Sequence, residues 1–152
     1  GDGPAREDRE APLPNTTFTG FLEGDTLARA YASSDVFLFP SDTETFGNVT
    51  LEAMASALPT VCADAAGSRD LVKDGTTGRL CPPGNVEAFT EATRSLVVDA
   101  TLRNRMGAAA HKRAQDFMWS AVLGKMNQYY DEVLEHVTRE ASRPLAPAGV
   151  PA

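Results

Sequence analysis

The sequence has no apolar run approaching the roughly 18–20 residues a membrane span requires, so no transmembrane helix is expected. Cysteine is scarce: Cys62 and Cys81 each sit in an apolar stretch, outside any CxxC or Cys/His pattern. They read as small buried hydrophobes, with no legible metal or redox motif and a reducing, cytoplasmic setting as the default. The two histidines, His111 and His136, stand far apart. A basic stripe is also missing. With a formal charge of −7, the chain lacks the footprint of a nucleic-acid binder. Its one loose basic group, Arg103, Arg105, Lys112 and Arg113, reads as a solvated helix face. The N-terminus has neither the basic segment nor the apolar stretch of a signal peptide, and no initiator Met. The expectation is a cut fragment.

The 152 residues, 42% of them hydrophobic, suffice for one domain with a core. Short apolar runs alternate with helical patterns. Thr17 to Thr19 is a short extended candidate, and Asp25 is placed to cap a helix over Thr26 to Ser33, with Leu27, Ala30 and Tyr31 at helical spacing. Val36 to Phe39 is a continuous apolar run stopped by Pro40, as in a strand buried on both faces. A polar loop leads to Gly47 and a helix from about Asn48 to Ala57. Thr60 to Ala63 and Gly78 to Cys81 are further strands, separated by a helical turn at Arg69 to Val72. Asn85 caps a helix to about Val98, and two more follow, near Ala100 to Gln115 and Ser120 to Glu140. Phe117, Trp119 and Tyr130 are expected to be packing anchors of those last helices. The fold class is therefore α/β, a parallel Rossmann-like sheet of about four short strands with flanking helices and a helical C-terminus. The expected domain spans 1–140, and 141–152 is a Pro/Ala-rich disordered tail.

In such sheets ligands bind beyond the carboxyl ends of the strands, which singles out the loops after Phe39 and Ala63. The first of these carries the chemistry. Gly47 permits close backbone approach, and the helix it opens offers unpaired amides and a positive dipole end suited to a diphosphate. Glu44 lies just before that helix, and Glu52 sits roughly 6 Å beyond its first turn. A carboxylate accepts two hydrogen bonds at once, which fits it to vicinal hydroxyls. Taken on residues alone, the reading slightly favoured is Glu44 as a capping residue and Glu52 as an ordinary surface carboxylate.

The stretch Glu44-Thr-Phe-Gly-Asn-Val-Thr-Leu-Glu52, followed by Ala-Met-Ala-Ser-Ala-Leu-Pro59, resembles the signature of the retaining, family-four glycosyltransferases of the GT-B fold. Gly1 to Pro4, Phe18 to Phe21, Ala32 to Asp35, Val36 to Ser41, Asp74 to Gly78 and Pro82 to Gly84 follow the family's order, so the resemblance covers about Gly1 to Val133. It implies a partial C-terminal, donor-binding domain of a hexosyltransferase of mannose or glucose type, working with retention of configuration. Glu44 is implied as the catalytic-site residue, contacting hydroxyls of the transferred sugar as a positioning group rather than a nucleophile. Glu52 is implied to hold the ribose hydroxyls. Amides of Gly47, Asn48, Val49 and Thr50 would face the diphosphate, Phe46 and Gly47 the sugar, and Phe18 to Phe21 the nucleobase edge. The donor is a nucleotide sugar such as GDP-mannose or a UDP-sugar, with no metal or other cofactor.

The family's diphosphate-binding Arg and Lys, and its acceptor domain, would lie upstream of Gly1. That missing domain is the expected partner, membrane association of the full protein stays open, and no transfer is expected from this piece alone. Two departures stand out: Ala57 where the family usually has Gly, and one glycine in Ala65 to Ser68 where two are common. Ala57 costs little if the residue is not left-handed, and is strained if the helix end needs φ > 0. Three other readings remain: a glycosidase, which leaves the Phe46-Gly47-Asn48 helix start without a role; a sugar phosphorylase on the same fold; and a non-catalytic nucleotide-binding fragment.

Overall fold

The apolar runs that end at Pro40 and begin after Pro59 lie side by side in one parallel sheet. The computed structural model describes residues 12–141, so the Gly1 to Pro4 segment and the tail beyond Ala141 lie outside the described residues. In chain order the elements are α1 (Gly24–Ala32), β1 (Phe37–Phe39), α2 (Asn48–Ala55), β2 (Thr60–Ala63), α3 (Ala66–Leu71), β3 (Gly78–Cys81), α4 (Val86–Val98), α5 (Ala100–Ala114), a 3-10 turn (Gln115–Phe117) and α6 (Trp119–Ala141). The chain divides into two compact units, one ending at Ala114 and one starting at Gln115.

The sheet order is β1-β2-β3. Phe37 pairs with Thr60, and Thr60 in turn pairs with Gly78. Every residue of β2 is buried, as a central parallel strand requires. β1 departs from the expected two-sided burial. Among the described strands it pairs on one side only, and Leu38 is 49% exposed. The sheet has three described strands rather than about four. Thr17 to Thr19 is not one of them, for those three residues end at Gly20, which turns at φ 74. The helix after it has Glu23 at its N-cap, while Asp25 falls inside the first turn, against the positive dipole end. Asn85 does cap α4, its side chain accepting from the Ala88 amide at 3.0 Å.

The core gathers Val61 and Ala63 of β2, Cys81 of β3, Phe89, Ala92 and Leu96 of α4, and Met106 of α5. Ala53 and Met54 of α2 are also fully buried. Both cysteines are buried and free, and burial pushes each thiol above its ordinary range. Burial thus disfavours the thiolate form of both.

Of the two outcomes open at Ala57, the end of α2 takes the strained one. The Leu58 amide bonds to the Ala53 carbonyl at 3.1 Å and the Ala57 amide to Met54 at 3.0 Å, a complete Schellman pattern. Ala57 occupies its left-handed position at φ 61, a conformation that suits glycine. Ala57→Gly is therefore expected to stabilise the protein by about 0.5–1 kcal/mol, the left-handed penalty less the backbone entropy of glycine. Chemical denaturation checks it: a raised midpoint with unchanged slope is the expected result.

Helix α5 ties three other helices down. Arg103 Nη1 donates to the Leu96 and Val97 carbonyls at the end of α4, at 3.0 and 3.1 Å. His111 Nδ1 donates to the Ala55 carbonyl at the end of α2, at 2.7 Å. Arg113 reaches the Leu71 carbonyl and, at 2.5 Å, the Asp70 carbonyl where α3 ends. Carbonyls in the last turn lack intrahelical partners and carry the negative dipole end, so all three donors satisfy such carbonyls and the two arginines also offset the dipole. Arg103 and Arg113 thus leave the solvated face expected of them.

In the second unit, α6 runs 23 residues. Trp119, Leu123, Met126, Tyr130, Val133 and Val137 recur at alternating spacings of four and three along it and are exposed. Trp119 at 79% and Tyr130 at 62% exposure are not the packing anchors expected of them. Among the described residues no element of their own unit covers that stripe. Among the described residues no helix is long and apolar enough to cross a membrane.

Candidate functional site

The site is built where β1 gives way to α2. Gly47, at φ 91, is the left-handed residue that turns the loop into the helix. A Cβ there would stand 2.7 Å from Leu71 Cδ1, so strain and space both call for glycine. The loop after β2 closes against the same turn. The Gly67 amide donates to the Glu44 carbonyl at 3.3 Å, and a Cβ on Gly67 would lie 3.0–3.1 Å from backbone atoms of Glu44 and Phe46. The two loops singled out by the carboxyl-end rule therefore meet, and one glycine at position 67 is enough to let them.

Glu44 is half-buried and folds back on the turn. Its Oε1 accepts from the Thr45 and Gly47 amides, both at 3.1 Å. This is the capping geometry that the residues alone left open, with a carboxylate at the positive end of α2. The Gly47 amide is thereby committed within the protein. Asn48, Val49 and Thr50 follow, first-turn amides for which helix geometry supplies no intrahelical acceptor. The side chain of Thr50 is fully buried, its Oγ1 3.8 Å from Cys62 Sγ, so only its backbone faces this end of the helix. Phe46 is 51% exposed beside them.

Glu52 is exposed on α2, and the Tyr31 hydroxyl donates to its Oε2 at 3.2 Å. Tyr31 also lies 3.5 Å from the Val49 carbonyl. Burial first, and then the charge of Glu52, push the Tyr31 phenol up to about 12. A cavity of about 320 Å³ opens here, lined by Gly24, Leu27, Ala28, Tyr31, Glu52, Ala55 and Ser56. A larger groove, about 740 Å³, runs past Leu38, Pro40, Val86, Phe89 and Val97. Thr90, Thr93 and Arg94 also line it, but its walls are mainly apolar and it holds none of the expected site residues. The second loop carries an exposed pair, Asp64 with Arg69 at 2.5 Å. The hydrogen bond from Arg69 holds the Asp64 carboxyl below its usual range. Among the described residues no three His, Cys, Asp or Glu side chains gather as a metal site. Tyr31 entered the sequence reading only through its helical spacing. The signal that finds it is a phenol in an apolar helix stripe, which needs a polar partner somewhere.

A parallel sheet whose first strand-to-helix turn opens a helix end flanked by two carboxylates marks an α/β protein with its candidate site at the carboxyl end of the sheet. More particularly, the chain belongs to the family described as "Glycosyl transferases group 1", which matches residues 1–99. It is 42% identical over 140 residues to the sulfoquinovosyl transferase SQD2 of Arabidopsis thaliana, covering 88% of this chain and 28% of that protein. It is 40% identical over 135 residues to a GDP-mannose-dependent alpha-mannosyltransferase of Mycolicibacterium smegmatis, covering 88% of this chain and 35% of that one. Among solved structures, Anabaena HepE in complex with UDP superposes with a TM-score of 0.69 at 25% identity, over 86% of this chain and 35% of that chain. The fold is that of GT-B glycosyltransferases, and the chain spans about a third of the length of these relatives.

Proposed function

We propose that this chain forms the donor-binding part of a hexosyltransferase that moves a mannose- or glucose-type sugar from a nucleoside diphosphate to an acceptor with retention of configuration. The observation that carries the reading is the placement of Glu52 on the wall of a cavity, along the helix whose first turn begins at Gly47. Amides of Asn48, Val49 and Thr50 meet the diphosphate, where the dipole of α2 favours negative charge. Glu52 takes the ribose hydroxyls. Glu44, its Oε1 occupied by the turn, presents Oε2 to hydroxyls of the sugar beside Phe46, and so positions the donor rather than attacking it. The reading needs no metal. Charge on the diphosphate is met by amides here and by cationic groups outside this chain, together with the acceptor-binding domain. The UDP held by HepE and the GDP-mannose dependence of the mycobacterial relative support a nucleotide-sugar donor.

Calorimetry with UDP, GDP and their glucose or mannose conjugates tests this. Glu52→Ala is expected to weaken binding about 10- to 100-fold, the loss of hydrogen bonds to a charged group worth ~1.5–3 kcal/mol. Equal binding by wild type and variant would remove the ribose assignment.

A further inference from the structure

An exposed glutamate is a poor ligand for a diol when it is free to rotate. Fixing a long side chain costs rotamer entropy, which is drawn from the binding free energy. Glu52 is exposed, yet it is not free: the Tyr31 hydroxyl holds Oε2 at 3.2 Å from a helix 21 residues away in sequence. Tyr31 is itself restrained. Its ring packs on Phe37 of β1 at 6.0 Å and 55°, and Phe37 stacks on Phe39 at 5.9 Å and 17°. The sheet thus fixes the phenol, and the phenol fixes the carboxylate. Both groups line the same cavity. One lone pair of the carboxylate is spent on Tyr31, and the others remain for a ligand.

We propose that Tyr31 is a positioning residue, holding the Glu52 carboxylate in the orientation that receives the ribose diol of the donor. This rests on the ribose assignment of Glu52 made above. The raised phenol value supports it, since a tyrosine titrating near 12 stays a donor throughout the neutral and alkaline range. The bond contributes little to folding, because a hydrogen bond to an exposed carboxylate competes with water. Its contribution goes instead to preorganisation of the site.

The experiment is calorimetry on the full chain with UDP and GDP, each beside its dideoxyribose analogue, in wild type, Tyr31→Phe and Glu52→Gln. Tyr31→Phe keeps the ring against Phe37 and removes only the hydroxyl, and a thermal transition close to wild type confirms that it folds. The expected result is that Tyr31→Phe reduces the preference for ribose over dideoxyribose about five- to tenfold while leaving dideoxy binding unchanged. Equal weakening of both nucleotides would mark a purely structural tyrosine and overturn the proposal. An unchanged preference in Tyr31→Phe, with the preference lost in Glu52→Gln, also overturns it and leaves the ribose contact standing. A preference retained by Glu52→Gln, or absent from wild type, overturns the ribose contact and the role of Tyr31 with it.

Discussion

Gly78→Ala is expected to destabilise the protein by about 3 kcal/mol, the upper end of what an added core methyl costs. Elsewhere in a strand this change helps slightly, since glycine spends more backbone entropy on folding. Here the new Cβ would stand 2.2 Å from the Thr60 carbonyl oxygen and 2.5 Å from Thr60 Oγ1, on the strand to which Gly78 is registered. Backbone cannot rotate away as a side-chain tip can. Relief requires β3 to part from β2, and β2 carries the loop whose Gly67 meets Glu44. For a chain of this size the loss corresponds to a melting point lower by roughly 6–12 °C. A melting curve within a degree of wild type would show that the strands part at negligible cost.

Gly107→Ala comes next in size. Gly107 lies on α5 where a Cβ would meet the Ala57 carbonyl oxygen at 2.2 Å and Pro59 Cδ at 3.4 Å. Alanine is favoured over glycine inside a helix by about 1 kcal/mol, so the net loss expected is about 2 kcal/mol. The clash would lift α5 from the end of α2 and stretch the His111 bond to Ala55. A double variant sharpens the reading. Ala57→Gly removes the left-handed strain at residue 57 but leaves its carbonyl in place, so in the Gly107→Ala background it should restore only its own increment of about 0.5–1 kcal/mol. Full rescue by the second change, measured by denaturant midpoint, would place the clash on the Ala57 side chain and contradict the geometry.

Both predictions concern contacts between residues far apart in the chain, and there the sequence is silent. Strands Thr60–Ala63 and Gly78–Cys81 and the Asn85 cap were legible, because each is set by a local run, a nearby glycine or a short-range bond. At Ala57 the sequence left two outcomes open, and the backbone takes the left-handed one. Burial of β1 was misjudged, since an apolar run does not say how many of its edges are paired. Arg103 and Arg113 were misread as solvated because helical periodicity places a long side chain on a face but not the carbonyl it reaches.

The same division runs through the candidate site. Spacing alone put Glu44 and Glu52 on either side of a glycine-led helix start, since seven intervening residues and a helical rise leave little choice. Only the tertiary structure decided that Glu44 closes on the Gly47 amide, that Gly67 draws the second loop against the first, and that Tyr31 grips Glu52. Local geometry follows from backbone sterics and hydrogen bonds a few residues long. The meeting of distant groups depends on which helices and strands pack together, and no short stretch of chain encodes that.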